Sequence, residues 1–342
     1  MSIQKRIEGS LYGLAIGDAL GWPVEFANVS PADPQVTDLI TRYRGAEEHE
    51  ALFTDDTQMT IAVAEGLIRA GTTDVDRAAE EVAEEFVAWL RSPENNRAPG
   101  GSCLRGCRAL ADGVSWREAG VVGGGGCGAA MRSAPYGWLH PGEPEKAAEI
   151  AAEHAQMTHR LAMAQASAAA VAAGVSVALV TEVSTGTGDS DVQDPWMPIA
   201  VAMVDAAMAY DHGTARMLLQ AINAATQEVS PVTVLDKWRG WAGHEAVAAS
   251  LYCLLYPTSR FSYESAVLLA VNSPGDSDSL GCIAGAIHGA LFGVDAVRPD
   301  WIARIEKTEY LGQLASRFAA SLDKRDQPEQ EEGTDGGHPN VQ

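Results

Sequence analysis

Phe53-Thr54-Asp55-Asp56-Thr57-Gln58-Met59-Thr60 leads directly into Ile61-Ala62-Val63-Ala64-Glu65-Gly66-Leu67-Ile68. Met59, Val63, Leu67 and Ile68 recur at helical spacing, so two carboxylates and two hydroxyls stand together at a helix start. Asp55 followed three residues later by Gln58 fits a capping box. A cap uses one carboxylate, however, and the oxygens left over are the hard ligands that Mg2+ or Ca2+ takes. The pattern recurs far away, where Pro274-Gly275-Asp276-Ser277-Asp278-Ser279 precedes the apolar helical run 280–287. Asp-x-Asp also opens a Ca2+-binding helix–loop–helix, but Ile287 stands where that loop needs its twelfth-position Glu. Two such clusters on two helix starts can share one or two divalent cations and leave positions open for substrate.

Glycine connects the two. Gly9, Gly13, Gly17 and Gly21 fall every fourth residue near the N-terminus, and Gly281, Gly285, Gly289 and Gly293 do the same after the second cluster. Each glycine inside a helix costs roughly 0.5–1 kcal/mol relative to alanine, which close helix packing can offset. Both helices are therefore expected at the centre of the molecule, carrying Asp18, Trp22 and Glu25 towards the acidic clusters.

Composition limits the partners. The chain has 342 residues, 46% of them hydrophobic but only 6% aromatic, which predicts a core of small, closely packed side chains. A net charge of −22 argues against binding nucleic-acid backbones or anionic membranes. An anionic substrate then needs cations, helix N-termini or single arginines. No cleavable apolar signal opens the chain, and the run 166–180 is too short to span a bilayer. Five cysteines without paired spacing point to reduced thiols and a cytoplasmic location.

Along the chain, 7–27 reads as a helix ending near Gly21 and 28–52 as a turn-rich, mobile loop. Helices are expected over 74–90, then briefly to Leu110 after an irregular loop at 92–102. Gly123-Gly124-Gly125-Gly126-Cys127-Gly128 formally fits a dinucleotide fingerprint, yet no strand precedes it. A glycine loop opening a helix can still cradle a diphosphate, although a flexible turn has the same composition. Residues 147–180 read as one helical stretch carrying His159, and 181–195 as a polar loop. Further helices are expected over 197–210, 213–225, 243–255, 263–271 and 301–322; Trp238 and Trp241 can stack on a base but are expected first as core anchors. Strand signals are almost absent, so the chain reads as all-α: one domain over 1–323 and a disordered polar tail over 324–342.

Gly17-Asp18-Ala19-Leu20-Gly21, Thr54-Asp55-Asp56-Thr57, Gly126-Cys127-Gly128-Ala129-Ala130-Met131-Arg132 and Gly275-Asp276-Ser277-Asp278-Ser279 occur in this order. That series resembles the ADP-ribosylglycohydrolase family over residues 7–294. The resemblance implies a compact multi-helix orthogonal bundle with a binuclear Mg2+ or Mn2+ centre in its cleft. Thr54, Asp55, Asp56, Asp276, Asp278 and Ser279 would be the metal ligands. Glu25 matches a loop glutamate implicated in catalysis, with Asp55 and Asp56 beside it. The loop with Gly123, Gly124, Gly126, Cys127 and Gly128 would hold diphosphate and ribose, with Asp18, Ser102, Met131 and His159 completing the substrate site. Departures are Cys127, where many members have Asn, and Ser279, where many have Thr. The loop 98–103 also lacks the acid found in members that act on arginine adducts.

The expected function is metal-dependent hydrolysis at C1″ of the distal ribose in an ADP-ribosylated protein, O-acetyl-ADP-ribose or a similar adduct. A binuclear phosphohydrolase cutting the diphosphate is the alternative within chemistry. A non-catalytic ADP-ribose-binding or structural relative is the alternative outside it. A monomer is expected.

Overall fold

The computed structural model of the chain describes residues 1–43, 49–183 and 194–325. Fifteen α-helices occupy those residues. The first five are α1 (Ile3–Gly21), α2 (Asp55–Ala70), α3 (Val75–Arg91), α4 (Gly101–Ala111) and α5 (Ala134–Leu139). Then come α6 (Pro144–Ala155), α7 (Ala162–Ala178), α8 (Trp196–Met208), α9 (His212–Thr226) and α10 (Pro231–Lys237). The last are α11 (Gly243–Leu255), α12 (Tyr263–Val271), α13 (Ser277–Phe292), α14 (Pro299–Arg304) and α15 (Thr308–Arg325). Sheet structure among the described residues is one antiparallel ribbon, in which Arg42 pairs with Glu50 and Tyr43 with His49.

Glycine periodicity decides the packing at the centre, where α1 and α13 run antiparallel with their backbones in contact. A methyl group on Gly17 would lie 2.1 Å from the Gly281 carbonyl oxygen, and one on Gly285 would lie 2.1 Å from that of Gly13. Gly9 faces Gly289 and Gly293 in the same way, while Gly21 meets the backbone of Ser277 and Asp278. Any side chain on this stripe would force the helices apart, so the local cost of glycine is offset by the approach it permits. The consequence for function is direct: the C-terminal end of α1 is pinned against the N-terminal end of α13, and hence Asp18 against the 276–279 cluster.

Around this pair one contiguous core runs from Ile7 to Phe318, built mostly from Ala, Val, Leu and Ile. Helix α3 joins it through Ala78, Ala79, Val82, Phe86 and Trp89, with Asp74 capping its start by accepting from the Arg77 amide at 2.9 Å. Gly66 lets α2 lie close against Val82 of α3. Trp138 fills the centre beside Phe318 and donates to the Ser10 hydroxyl at 2.9 Å. No helix is long and apolar enough to cross a membrane among the described residues.

Several boundaries differ from the sequence reading. The expected 147–180 helix is two helices, broken where Val121 pairs with the 156–160 segment: its amide donates to the Thr158 carbonyl and its carbonyl accepts from the Arg160 amide, both at 3.0 Å. His159 therefore lies in a connection and not on a helix. The expected 301–322 helix also breaks, because Ala51 inserts between Arg304 and Glu306 and takes their hydrogen bonds. Helix α10 is not expected from the sequence, and α1 starts four residues earlier than expected, at Ile3, while ending at Gly21 as expected. The expected tail over 324–342 falls almost wholly outside the described residues, as do most of the 181–195 loop and part of the 28–52 loop.

Candidate metal and substrate site

The two acidic helix starts face one cavity of about 380 Å³, which lies within the size range of small-molecule sites. Asp55 and Asp56 reach it from α2, and Asp276, Asp278 and Ser279 from the start of α13. Glu25, just beyond α1, closes one side. The carboxylate oxygens of Glu25, Asp276 and Asp278 lie within 4.8 Å of one another.

Neither helix spends these carboxylates on capping. The expected capping box does not form: Thr54 is the N-cap of α2, its hydroxyl accepting from the Asp56 amide at 3.3 Å. Gln58 turns away, donating to the Glu94 carbonyl and accepting from the Trp89 indole. Asp276 occupies the N-cap position of α13 without a side-chain capping bond. Three of their oxygens already accept hydrogen bonds, Asp55 from the Gly100 amide at 3.0 Å, Asp278 from the Ser279 amide at 2.9 Å and Asp276 from the Cys127 thiol at 2.9 Å, and the carboxylates otherwise face the cavity.

Asp18 differs from expectation. It is fully buried and lies off the cavity wall, beneath the position expected for it in the substrate site. Its carboxylate accepts from the Thr54 amide at 2.9 Å, the Thr57 amide at 3.1 Å and the Thr57 hydroxyl at 2.6 Å. It is the footing on which the start of α2 rests. Thr54 is also buried beneath the cavity and away from its wall.

So many buried acids repel one another. Burial first, then the neighbouring carboxylates, raises Asp55 to about 8, and burial with Asp276 and Asp18 raises Glu25 to about 7. Burial brings Asp18 to about 6, its hydrogen bonds holding it lower. Burial first, then neighbouring carboxylates, also raises Asp56 and Asp278, and burial raises Asp276 against the hydrogen bonds it accepts. Arg105 is the one Lys or Arg on the cavity wall among the described residues. The buried Asp56 Oδ2 has no hydrogen-bond partner there. An orphaned carboxylate oxygen in an uncompensated acidic cluster is the environment that a hard divalent cation satisfies, so the residues present fit such an ion.

The glycine loop forms the facing wall. It opens a single 3-10 turn, Cys127–Ala129, and not an α-helix as expected. The neighbouring 241–243 segment holds it: Gly126 bridges Ala242, the Cys127 amide donates to the Trp241 carbonyl at 3.2 Å, and the Gly243 amide donates to the Gly125 carbonyl at 3.0 Å. Buried Arg132 donates to the Gly128 carbonyl at 2.8 Å and to the Thr158 hydroxyl at 2.7 Å. Thr158 in turn bonds His159 Nδ1 at 2.8 Å, which sets the imidazole against Gly126 and Gly128. Burial first, then Arg132 and Arg105, lowers His159 to about 3, so its ring is neutral. Ser102, Gly123, Gly124, Gly126, Cys127, Gly128, Met131 and His159 all line the cavity.

Arg105 and Trp241 also line it; nothing in the sequence singles out Arg105, and Trp241 takes the position open to stacking and not the core position expected first. Trp238 is the buried anchor expected, but Trp241 is 68% exposed and meets Phe26, the neighbour of Glu25, edge-on with ring centres 5.7 Å apart. A bulky aromatic following Arg239-Gly240 at a turn was the available signal, since Gly240 has a positive φ of 83° that ends regular structure there.

The comparisons bear directly on this arrangement. Residues 1–328 match the family model described as ADP-ribosylglycohydrolase. The chain belongs to the ADP-ribosylglycohydrolase family. Among relatives of this member, an ADP-ribosyl-[dinitrogen reductase] glycohydrolase from Rhodospirillum rubrum is 24% identical over 309 residues, covering 89% of this chain and 92% of that protein. An uncharacterized protein from Archaeoglobus fulgidus is 26% identical over 333 residues, covering 92% and 96% respectively. A solved structure titled "ADP-ribosylglycohydrolase-related protein complex" superposes with a TM-score of 0.68 at 22% identity, covering 94% of this chain and 99% of that one. That likeness establishes the family's all-α fold.

Proposed function

We propose that this protein hydrolyses the bond at C1″ of the distal ribose in ADP-ribosyl adducts, releasing ADP-ribose. The observation that carries the reading is the meeting of two acidic helix starts and a glycine loop around one cavity. Family membership and the named activity of the Rhodospirillum rubrum relative support it.

Asp55, Asp56, Asp276, Asp278 and Ser279, with Thr54 beneath them, would hold Mg2+ or Mn2+. Bound there, such cations supply positive charge that neutralises the cluster and grips the ribose hydroxyls. The glycine loop presents backbone to the diphosphate. Arg132 uses the Thr158 hydroxyl as acceptor, leaving that hydroxyl's proton for His159 Nδ1 and the ring's own proton on Nε2, directed at the loop. Glu25 lines the cavity beside the cluster and is placed to exchange a proton, either taking one from the attacking water or giving one to the leaving group. Asp55 and Asp56 are the other carboxylates placed for that work. Trp241, on the cavity wall with Phe26 against it, is placed to meet an entering adduct.

The test is a metal-supplemented screen of defined conjugates, with arginine, serine, acetate and phosphate as leaving groups. Intact ADP-ribose as product, lost on adding EDTA, supports the reading. AMP as product identifies a phosphohydrolase, and tight ADP-ribose binding without turnover on any conjugate identifies a binder.

A further inference from the structure

The donor set of the cleft is not all oxygen. Cys127 Sγ lies 2.9 Å from Asp276 Oδ2 and 3.4 Å from Ser279 Oγ. Asp56 lines the same cavity as Ser279, and its Oδ2 is buried without a hydrogen-bond partner. Four donors from three separate segments thus converge: a sulfur from the glycine loop, a carboxylate from α2, and a carboxylate and hydroxyl from the start of α13.

We propose that Cys127 is itself a metal ligand, so that one cation position in this cleft prefers a thiophilic divalent ion such as Zn2+ or Co2+ to Mg2+. The proposal rests on the cleft being a cation centre. Metal–sulfur and metal–oxygen bonds of the usual lengths, held at tetrahedral to octahedral angles, separate sulfur from oxygen by about 3.1–3.6 Å. The 3.4 Å separation from Ser279 Oγ falls in that range, while the 2.9 Å separation from Asp276 Oδ2 is a shorter thiol hydrogen bond that must open by a few tenths of an ångström when the metal replaces the proton. Magnesium takes oxygen ligands and discriminates against sulfur, whereas first-row ions accept a mixed set. Binding exchanges the thiol proton for the metal, releasing one proton to solvent with no change in oxidation state.

Cys107, Cys253 and Cys282 lie off the cavity wall and Cys103 is the other thiol on it, so the Cys127 variants distinguish the two. Metal-stripped full-length protein is titrated with Co2+, measuring bound ion by equilibrium dialysis and the sulfur-to-cobalt charge-transfer band in the near ultraviolet. The same titration is run on Cys127→Ser, which is nearly isosteric, and on Cys127→Asn. The wild type is expected to show the band. Both variants are expected to lose it while still binding cobalt, with Zn2+ affinity at least about tenfold weaker, a drop of the size that altered metal surroundings produce. Bound cobalt without the band, or a band that persists in Cys127→Ser, overturns the sulfur ligand and leaves the cation centre standing. No saturable cobalt binding overturns both.

Discussion

The Thr57 hydroxyl donates to Asp18 Oδ2 at 2.6 Å, tying the end of the first helix to the start of the second beneath the cleft. Two backbone amides, of Thr54 and Thr57, converge on the same carboxylate. Asp18 is therefore a positioning residue, aligning Asp55 and Asp56 without reaching the cavity. Asp18→Ala leaves three buried donors without an acceptor, and urea unfolding in Mg2+ should show a loss of about 2–4 kcal/mol. A change below about 1 kcal/mol would show that the carboxylate is not the footing described.

The acidic cluster makes the metal-free protein sensitive to base. Asp18, Glu25 and Asp55 are raised from 3.8, 4.5 and 3.8 to about 6, 7 and 8, so the folded chain retains protons that the unfolded chain releases. Their contribution to stability is complete below about pH 4 and is lost as pH rises through 6 to 8. Asp18 alone, raised from 3.8 to about 6 and fully buried, corresponds to about 3 kcal/mol. Melting in EDTA should accordingly occur at lower temperature at pH 8 than at pH 5, and Mg2+ added at pH 8 should reverse the loss. A melting temperature in EDTA that climbs steadily to pH 8 would contradict the shared cluster.

The glycine stripe carries a sharper expectation. A methyl group at position 17 meets the Gly281 carbonyl at 2.1 Å, whereas one at Gly113 meets nothing within 4 Å and only its positive φ of 84° opposes it. Gly17→Ala should cost about 3 kcal/mol or more through overpacking. Gly113→Ala should cost about 1–2 kcal/mol through backbone strain. Denaturant midpoints for the two variants, measured side by side, test the ordering; equal losses would mean that the helix pair can slide apart.

A buried ion pair supports the same site from the other side. Arg97 and Glu306 bond to each other, and they also hold the Phe53 carbonyl and amide, at 2.8 Å and 2.9 Å. Phe53 immediately precedes the acidic start of α2. Glu306→Ala strands a buried guanidinium, and a loss of about 3–5 kcal/mol is expected from chemical denaturation. A stability within about 1 kcal/mol of the wild type would remove this pair from the account.

Much of this was legible before any coordinates. Fourfold glycine spacing in two distant stretches foretold the α1–α13 contact, because close approach is a strong reason for so many glycines on one helical stripe. The paired acidic starts could be seen for a similar reason: two carboxylates exceed what a cap requires. What stayed hidden was set by tertiary partners. Gln156 to Leu161 contains neither Gly nor Pro, and the helix breaks there because Val121 supplies competing hydrogen bonds. Ile305 behaves in the same way against Ala51. Asp18 was expected in the substrate site because sequence shows that a carboxylate is near but not which way it turns. The exposure of Trp241 and the inward position of Arg105 depend on loop paths that periodicity does not encode.

The central claim is that aspartates from α2 and from the start of α13 share bound cations. Mn2+ bound per chain, counted by equilibrium dialysis with electron paramagnetic resonance detection of the free ion, addresses it directly. The account predicts two saturable ions in the wild type, with loss of at least one in Asp55→Ala and equally in Asp278→Ala. Weak, unsaturable binding in the wild type, or full binding in both variants, would contradict it.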